Sequence, residues 1–435
     1  MSENTFRFLQ FSDIALDSKL TLGGGGTSLN CGYSLPKAER QERASELLET
    51  TINAFALAAQ ENVDAVLIPG GLFEATTVSG YTINTLIESL ATIEHIPVFI
   101  SPGLCDLYAR SSLYASDMLQ ARGLKAWPKN VHIFQSEHFQ SVPVPGKPEV
   151  SITGRAITKG VRKTERVLSG KLPKGAGSTI NIAMLVGSLE THPEMEGREP
   201  KSLIYPFNIS EMKAMGMSYF ALGLADNAFK VEEDDGTTLG AYAGCLASGT
   251  FAKPGPRYAL LGEIAQDGTT VNIELNPIEV DQRRMMVVAL DVSGLGDNDI
   301  KEEIMVGLED AGIRFDTDVV ALSLEGSSKP GANPGRVAES LTANFHCLLV
   351  IDNTRPDYLA ERFDERTTEW KYIQAMLDMK TKAERVNVKL NDTNLPGDSL
   401  SGIPGADLSG KTVEDALYYG LDALRQKRVT IRNVG

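Results

Sequence analysis

Residues 65–74 read AVLIPGGLFE. An apolar, β-branched run enters a bare Gly70-Gly71 corner and leaves through Leu72, Phe73 and Glu74. Near-continuous apolar character is expected of a strand covered on both faces. Four more stretches share the design of a buried strand running into small turn residues: FRFLQFSD (6–13), PVFISPG (97–103), INIAMLVGS (180–188) and YFALGLAD (219–226). Between the first two strands, Leu48, Ile52, Phe55 and Ala59 recur at helical spacing, predicting an amphipathic helix over about Lys37–Glu61. A second helix is predicted near 80–93, with Ile83, Leu86, Ile87 and Leu90 on one face. Strands alternating with helices specify an α/β layered domain, in which function collects on the loops after the strands.

Beyond that domain, 256–264 and 270–280 predict a hairpin turning at Asp267-Gly268. A fresh α/β unit follows, with strands at 283–294 and 319–326 around a helix at 298–312, and a loop by composition at 327–336. The tail predicts one helix after Pro356-Asp357, running through Trp370, Ile373, Met376 and Leu377. A second covers 412–424 with Thr412 as its N-cap, and 391–410 is a linker between them.

The chain has 435 residues, 42% of them hydrophobic, enough for two to three domains. The beginning has no signal-peptide pattern and no apolar run is long enough to span a bilayer, so a soluble cytoplasmic protein is expected. Cys31, Cys105, Cys245 and Cys347 form no CxxC pair, which argues against a disulfide framework or a zinc site. A net charge of −15 disfavours strong binding of phosphate backbones. The basic cluster Lys159, Arg162, Lys163, Arg166, Lys171 and Lys174 is expected to be a solvated face. The GGGG run at 23–26 lacks a following GK[ST] and is expected to be a surface loop.

The five loop tips offer Asp13, Asp106, Asp226 and the Cys105 thiol as polar groups. None of His95, His132, His138, His192 and His346 sits on a tip, and each is expected to be an ordinary histidine. Cys105 beside apolar Leu104 is expected to be a packed thiol rather than a nucleophile.

The order of these tips resembles the DxH, GD, GNHD, H-G and GHxH series of the calcineurin-like metallophosphoesterases. The stretches that carry it are SDIALDS (12–18), IPGGLFE (68–74), SPGLCDLY (101–108), LVGSLE (185–190) and ALGLAD (221–226). Farther on, KPGPRYALLGEI (253–264), DVSG (291–294), DNTRPDY (352–358) and ALYYGLDAL (416–424) are similar to the SbcD branch, nearest the bacterial YhaO type. Its members are the nuclease subunits that pair with SMC-like ATPases in DNA double-strand-break repair. The resemblance implies a four-layer αββα sandwich over 1–280, an α/β capping domain over 281–350 and a C-terminal helical partner-binding region over 351–435. It implies two Mn ions for the family. In this chain Ala15, Gly71, Leu104, Val186 and Leu224 stand at ligand positions, Asp226 replaces a histidine ligand, and Cys105 stands at the position of the acid histidine. Asp13 and Asp106 match the family.

A two-metal centre needs ligands for ions about 3.5–4 Å apart. These residues therefore predict a degenerate site with no catalytic or metal-binding set and no cofactor. The expected function is a non-catalytic scaffold or regulatory subunit of an SMC-like ATPase (SbcC/YhaN-type), with weak or indirect DNA contact and no membrane. A metal-dependent phosphoesterase with an altered site, a single metal on Asp13 and Asp226, a stand-alone interaction module and a homodimer all stay open. Tyr358, Trp370, Ile373, Leu417 and Leu421 are the expected partner-docking side chains, by helix-in-groove packing, with packing inside the chain equally open.

Overall fold

In the computed structural model, residues 4–18, 37–160, 165–195, 202–248, 251, 253–268, 270–360, 364–392 and 410–426 are described. The 23–26 glycine run, Cys31, Arg162, Lys163 and most of the 391–410 linker lie outside them. The chain divides into two units, Met1–Met286 with Thr317–Val319, and Val287–Asp316 with Val320–Gly435.

The first unit opens with β1 (Asn4–Gln10), α1 (Lys37–Gln60), β2 (Ala65–Pro69), α2 (Gly80–Thr92), β3 (Val98–Ser101), α3 (Ser116–Ala121) and β4 (Val131–Ile133). It continues through β5 (Gln140–Val144), β6 (Lys147–Gly154), β7 (Ile180–Val186), α4 (Ile209–Met215), β8 (Tyr219–Gly223), β9 (Phe229–Glu232) and β10 (Thr238–Tyr242). The hairpin β11 (Tyr258–Asp267) and β12 (Thr270–Glu279) closes it. Two six-stranded sheets result, ordered β12-β11-β1-β2-β3-β4 and β5-β6-β7-β8-β10-β9. The strands β1 to β4 are mutually parallel, as are β6, β7, β8 and β10, so within each sheet their C-terminal ends share one edge.

Side-chain alternation stacks the layers. Phe8, Leu67 and Phe99 from the first sheet meet Ile152, Ile182 and Tyr219 from the second in one buried core. On the far face of the first sheet, Leu9, Val66 and Ile100 pack with Phe55 of α1 and Leu86 of α2. On the far face of the second, Leu185, Phe220 and Leu222 pack with Met212 of α4 and Phe207. The order is helix, sheet, sheet, helix: an α/β sandwich of four layers. Gln10 links the sheets, donating to the Ala241 carbonyl at 2.8 Å and accepting from the Tyr219 hydroxyl at 2.8 Å. Polar groups in such a core persist only when paired.

The elements that follow are β13 (Met285–Asp291), α5 (Asp297–Asp310), β14 (Val319–Glu325), β15 (Ser327–Ser328), α6 (Pro334–Glu339), β16 (Cys347–Asp352), β17 (Arg355–Pro356), α7 (Thr368–Asp392) and α8 (Gly410–Gln426), all in the second unit except the first residues of β13 and β14. The stretch 327–336, expected to be loop, forms β15 and the start of α6. Asn333 caps that helix by accepting from the Arg336 N–H at 3.2 Å, with Pro334 following. The helix at the tail begins at Gly410, two residues ahead of the expected Thr412 cap.

Candidate functional site

The tips after β1, β2, β3, β7 and β8 do converge, and glycine is what lets them. Gly70 and Gly71 both have left-handed backbones, with φ of 91° and 73°. A Cβ on Gly70 would lie 2.7 Å from Val186 Cγ2, and one on Gly71 would lie 2.7 Å from Asp13 Cα. Gly103 is equally tight, its Cβ position lying 2.9 Å from the Gly71 nitrogen. The Asp13 amide donates to the Gly70 carbonyl at 3.0 Å and the Ala15 amide to the Gly71 carbonyl at 2.7 Å. The corner is thus where three strand ends touch through backbone alone.

Each carboxylate in this cluster has a distinct environment. Asp106 is fully buried and accepts four hydrogen bonds: from the amides of Gly71 (3.2 Å), Leu72 (2.8 Å) and Gly103 (2.6 Å), and from the Tyr114 hydroxyl (2.7 Å). Burial raises its pKa against the pull of those donors. Asp13 keeps a partial path to solvent. Its Oδ2 accepts from Ser12 Oγ and from the Leu224 amide, each at 2.7 Å. Burial, with Asp226 and Asp106 nearby, pushes the Asp13 carboxyl up to about 7. Asp226 pairs with the Lys253 ammonium, which also donates to Glu194 Oε2 at 3.1 Å. Burial alone would lower Lys253, but these two carboxylates outweigh it and raise its pKa. Burial likewise opposes ionisation of Glu194, yet Lys253 and the Asn227 amide hold it below the usual carboxylate range.

Strain accompanies this geometry. Asp13, Ala15 and Leu224 have φ of 51°, 50° and 98°, a region that side-chain-bearing residues rarely occupy. Such residues cost on the order of 1–3 kcal/mol each and gather at functional sites. Here the strained turn at Leu224 sets its amide on Asp13.

The residues at these tips do not fit a two-metal centre. The space of any side chain at Gly71 is taken by the Asp13 backbone. Val186 and Leu224 are built into the apolar core on the outer sheet, with Leu104 against them. Asp106 is saturated by donors, and Asp226 already faces a cation, Lys253. Among the described residues, no three His, Cys, Asp or Glu side chains are grouped to hold a metal ion. Cys105 is half-buried, and burial together with Asp106 pushes its thiol far up, away from thiolate chemistry.

No family model matches the chain, and no curated protein matches it. Among solved structures, TT1561 of Thermus thermophilus is similar at 11% identity over 62% of this chain and 99% of that one, with a TM-score of 0.33. A dimetal phosphatase from Danio rerio is similar at 11% identity over 63% of this chain and 97% of that one, with a TM-score of 0.34. At that identity neither protein assigns a role to any residue of this chain.

Several site residues carried no signal in the sequence. Tyr114 and Glu194 lie away from the tips, and Lys253 sits inside the KPGPRY stretch that otherwise marks only resemblance. Cys245 packs beside the cluster, its thiol donating to the Asp226 carbonyl at 3.5 Å and pushed up to about 12 by burial. His192 lies against the rings of Phe229 and Tyr242 and accepts from the Glu194 amide at 3.0 Å, an ordinary core histidine.

The described part of the basic cluster is solvated as expected, with Lys159, Lys171 and Lys174 exposed and Arg166 half-buried. Lys159, Arg166 and Lys171 line a cavity, and Lys174 donates to the Gly216 carbonyl at 2.5 Å. In the second unit, the expected docking residues Tyr358, Ile373, Leu417 and Leu421 are buried against one another, with Tyr418 completing the cluster, while Trp370 is half-buried. Their apolar surface is spent on packing α7 and α8 together.

Proposed function

We propose that this chain is a metallophosphoesterase-like protein of SbcD type that has given up its two-metal centre and serves as a non-catalytic scaffold or regulatory subunit of an SMC-like ATPase. The observation that carries the reading is that internal contacts occupy the strand ends. Lys253 supplies the positive charge that faces Asp226, and the Asp13 backbone fills the space at Gly71. The strained backbones at Asp13, Ala15 and Leu224 support descent from a working site, since an ordinary turn does not need them. The order of the five degenerate tips along the sequence supports the family assignment.

Elemental analysis of the purified chain, after incubation with Mn²⁺ and desalting, tests the site. Substoichiometric metal and no Mn²⁺-dependent hydrolysis of DNA or of bis-p-nitrophenyl phosphate are expected. Stoichiometric metal with turnover abolished in Asp13→Ala would replace this reading by that of an altered phosphoesterase. Co-purification tests the partner. Met379 on α7 and Leu424 on α8 keep exposed apolar side chains, at 47% and 48%, and are the contacts that Met379→Glu and Leu424→Glu would break. One observation favours a second reading, a stand-alone interaction module: four of the five expected docking side chains are buried within the chain itself. Failure of any SMC-like ATPase to co-purify would select it.

A further inference from the structure

One strand along from the degenerate tips, β6 ends at Gly154 and the chain continues into Arg155. Its neighbours are pinned in place. The Ala156 amide donates to the Ser136 carbonyl at 2.8 Å, and the Ile157 amide to the Pro102 carbonyl at 3.0 Å. Arg155 lies in a cavity of about 540 Å³, within the range of small-molecule sites. Two rings pack against its guanidinium, Tyr205 at 4.8 Å and Phe139 at 5.2 Å from their centroids.

The guanidinium has no hydrogen-bond acceptor among the described residues. Its five donors face the cavity's solvent and stay open to an incoming acceptor. Burial lowers its pKa, with Tyr205, Glu165 and Glu137 partly offsetting the effect. By contrast Arg166, on the same cavity, is fully engaged with Glu211 and Glu190. Tyr205 has a left-handed backbone with φ of 45°, and its carbonyl lies 2.6 Å from where a Cβ on Gly187 would be. On the cavity wall Lys159 pairs with Glu137 at 3.6 Å and Arg166 with Glu190 and Glu211, which leaves Arg155 and Lys171 as the wall's cations with no carboxylate at ion-pair distance among the described residues.

We propose that this cavity binds a small phosphate monoester. The planar fork of Arg155 takes two phosphate oxygens, and Lys171 neutralises the rest of the charge. Arginine held flat against aromatic rings keeps its in-plane donors for bidentate contact with an oxyanion. A dianionic phosphate matches the two uncommitted cations, Arg155 and Lys171, better than a single carboxylate does. The site does not depend on the fate of the strand-end metal centre, because none of its charged residues belongs to those tips.

Isothermal titration of the full chain with inorganic phosphate, glucose 6-phosphate and glutarate tests this. Saturable binding of glucose 6-phosphate is expected, tighter than glutarate, and weakened about tenfold or more in Arg155→Lys, which keeps the charge and loses the fork. Lys171 is exposed, so Lys171→Glu leaves the unliganded melting temperature unchanged and still weakens binding. Absence of binding of both phosphates up to about 10 mM would overturn the proposal, that limit being weaker than about −3 kcal/mol. So would affinity equal in wild type and both variants, or glutarate bound as tightly as the phosphates.

Discussion

Asp106 and Arg155 both follow strands at one edge of the first unit, and they have been treated in opposite ways. Asp106 lies sealed in protein with four donors on its two oxygens. Arg155 lies in an open cavity with aromatic walls and no acceptor among the described residues. A buried charge with every valence met works as a structural pin. A charge with its valences open costs free energy that only a ligand or water returns. The position of a charged residue at a strand end therefore does not assign it to function; the state of its hydrogen bonds does.

The comparison is broken most severely at Asp106. Asp106→Ala would leave three backbone amides and the Tyr114 hydroxyl without their acceptor. At about 1–3 kcal/mol for each unsatisfied buried group, a loss above about 3 kcal/mol is expected even after partial relaxation. Urea unfolding measures it. A loss below about 1 kcal/mol would show that Asp106 does not pin the tips. Gly71→Ala comes next. The new Cβ would meet Asp13 Cα at 2.7 Å in a backbone with φ of 73°. About 2 kcal/mol or more is expected to be lost. Gly71→Asp should lose at least as much while gaining no Mn²⁺, because the Asp13 backbone fills the space that a bridging carboxylate needs.

Much of the fold could be read in the sequence for a simple reason. The buried strands 65–69, 180–186 and 219–223 are apolar on both faces, and glycines mark their ends. The convergence of five tips also followed, because parallel strands place their loops on one edge. The short strands β4, β5 and β9 were invisible. Val144 and Val231 are their only buried residues, and the rest are half-buried or exposed, so no apolar run marks them. The long-range pairings were invisible for a different reason. Lys253 lies 27 residues from Asp226, and Tyr114 accompanies Asp106 only because the chain folds back. No periodicity encodes such contacts. Arg155 offered a faint signal, a cation directly after the apolar strand ending VSITG.

Asp13 sharpens the comparison through pH. Its folded pKa of about 7 lies above its ordinary 3.8, so the folded state favours the protonated form. The stability it contributes is complete below about 3.8 and is lost as pH rises through about 7. Asp13→Asn removes that loss and keeps an acceptor for the Leu224 amide. The variant should gain on the wild type by on the order of 1–2 kcal/mol between about pH 5 and pH 8, allowing for the partial exposure of Asp13. Parallel stability curves would place the Asp13 carboxyl near its ordinary value.

The smallest effect is expected at the internal cation. Lys253 and Asp226 have side chains 31% and 38% exposed, so solvent screens their attraction, while Glu194 at 14% is the more enclosed partner. Lys253→Met should therefore cost only about 1 kcal/mol. The informative quantity is the coupling. If Lys253 stands in for a cation, its loss should be largely rescued by Asp226→Asn with Glu194→Gln, because those carboxylates then no longer need a positive partner. A triple variant as stable as the wild type, with Lys253→Met alone destabilised and still free of Mn²⁺, would mark this cluster as a self-neutralised remnant. Uptake of Mn²⁺ by Lys253→Met would mark it instead as a cation site that the lysine keeps closed.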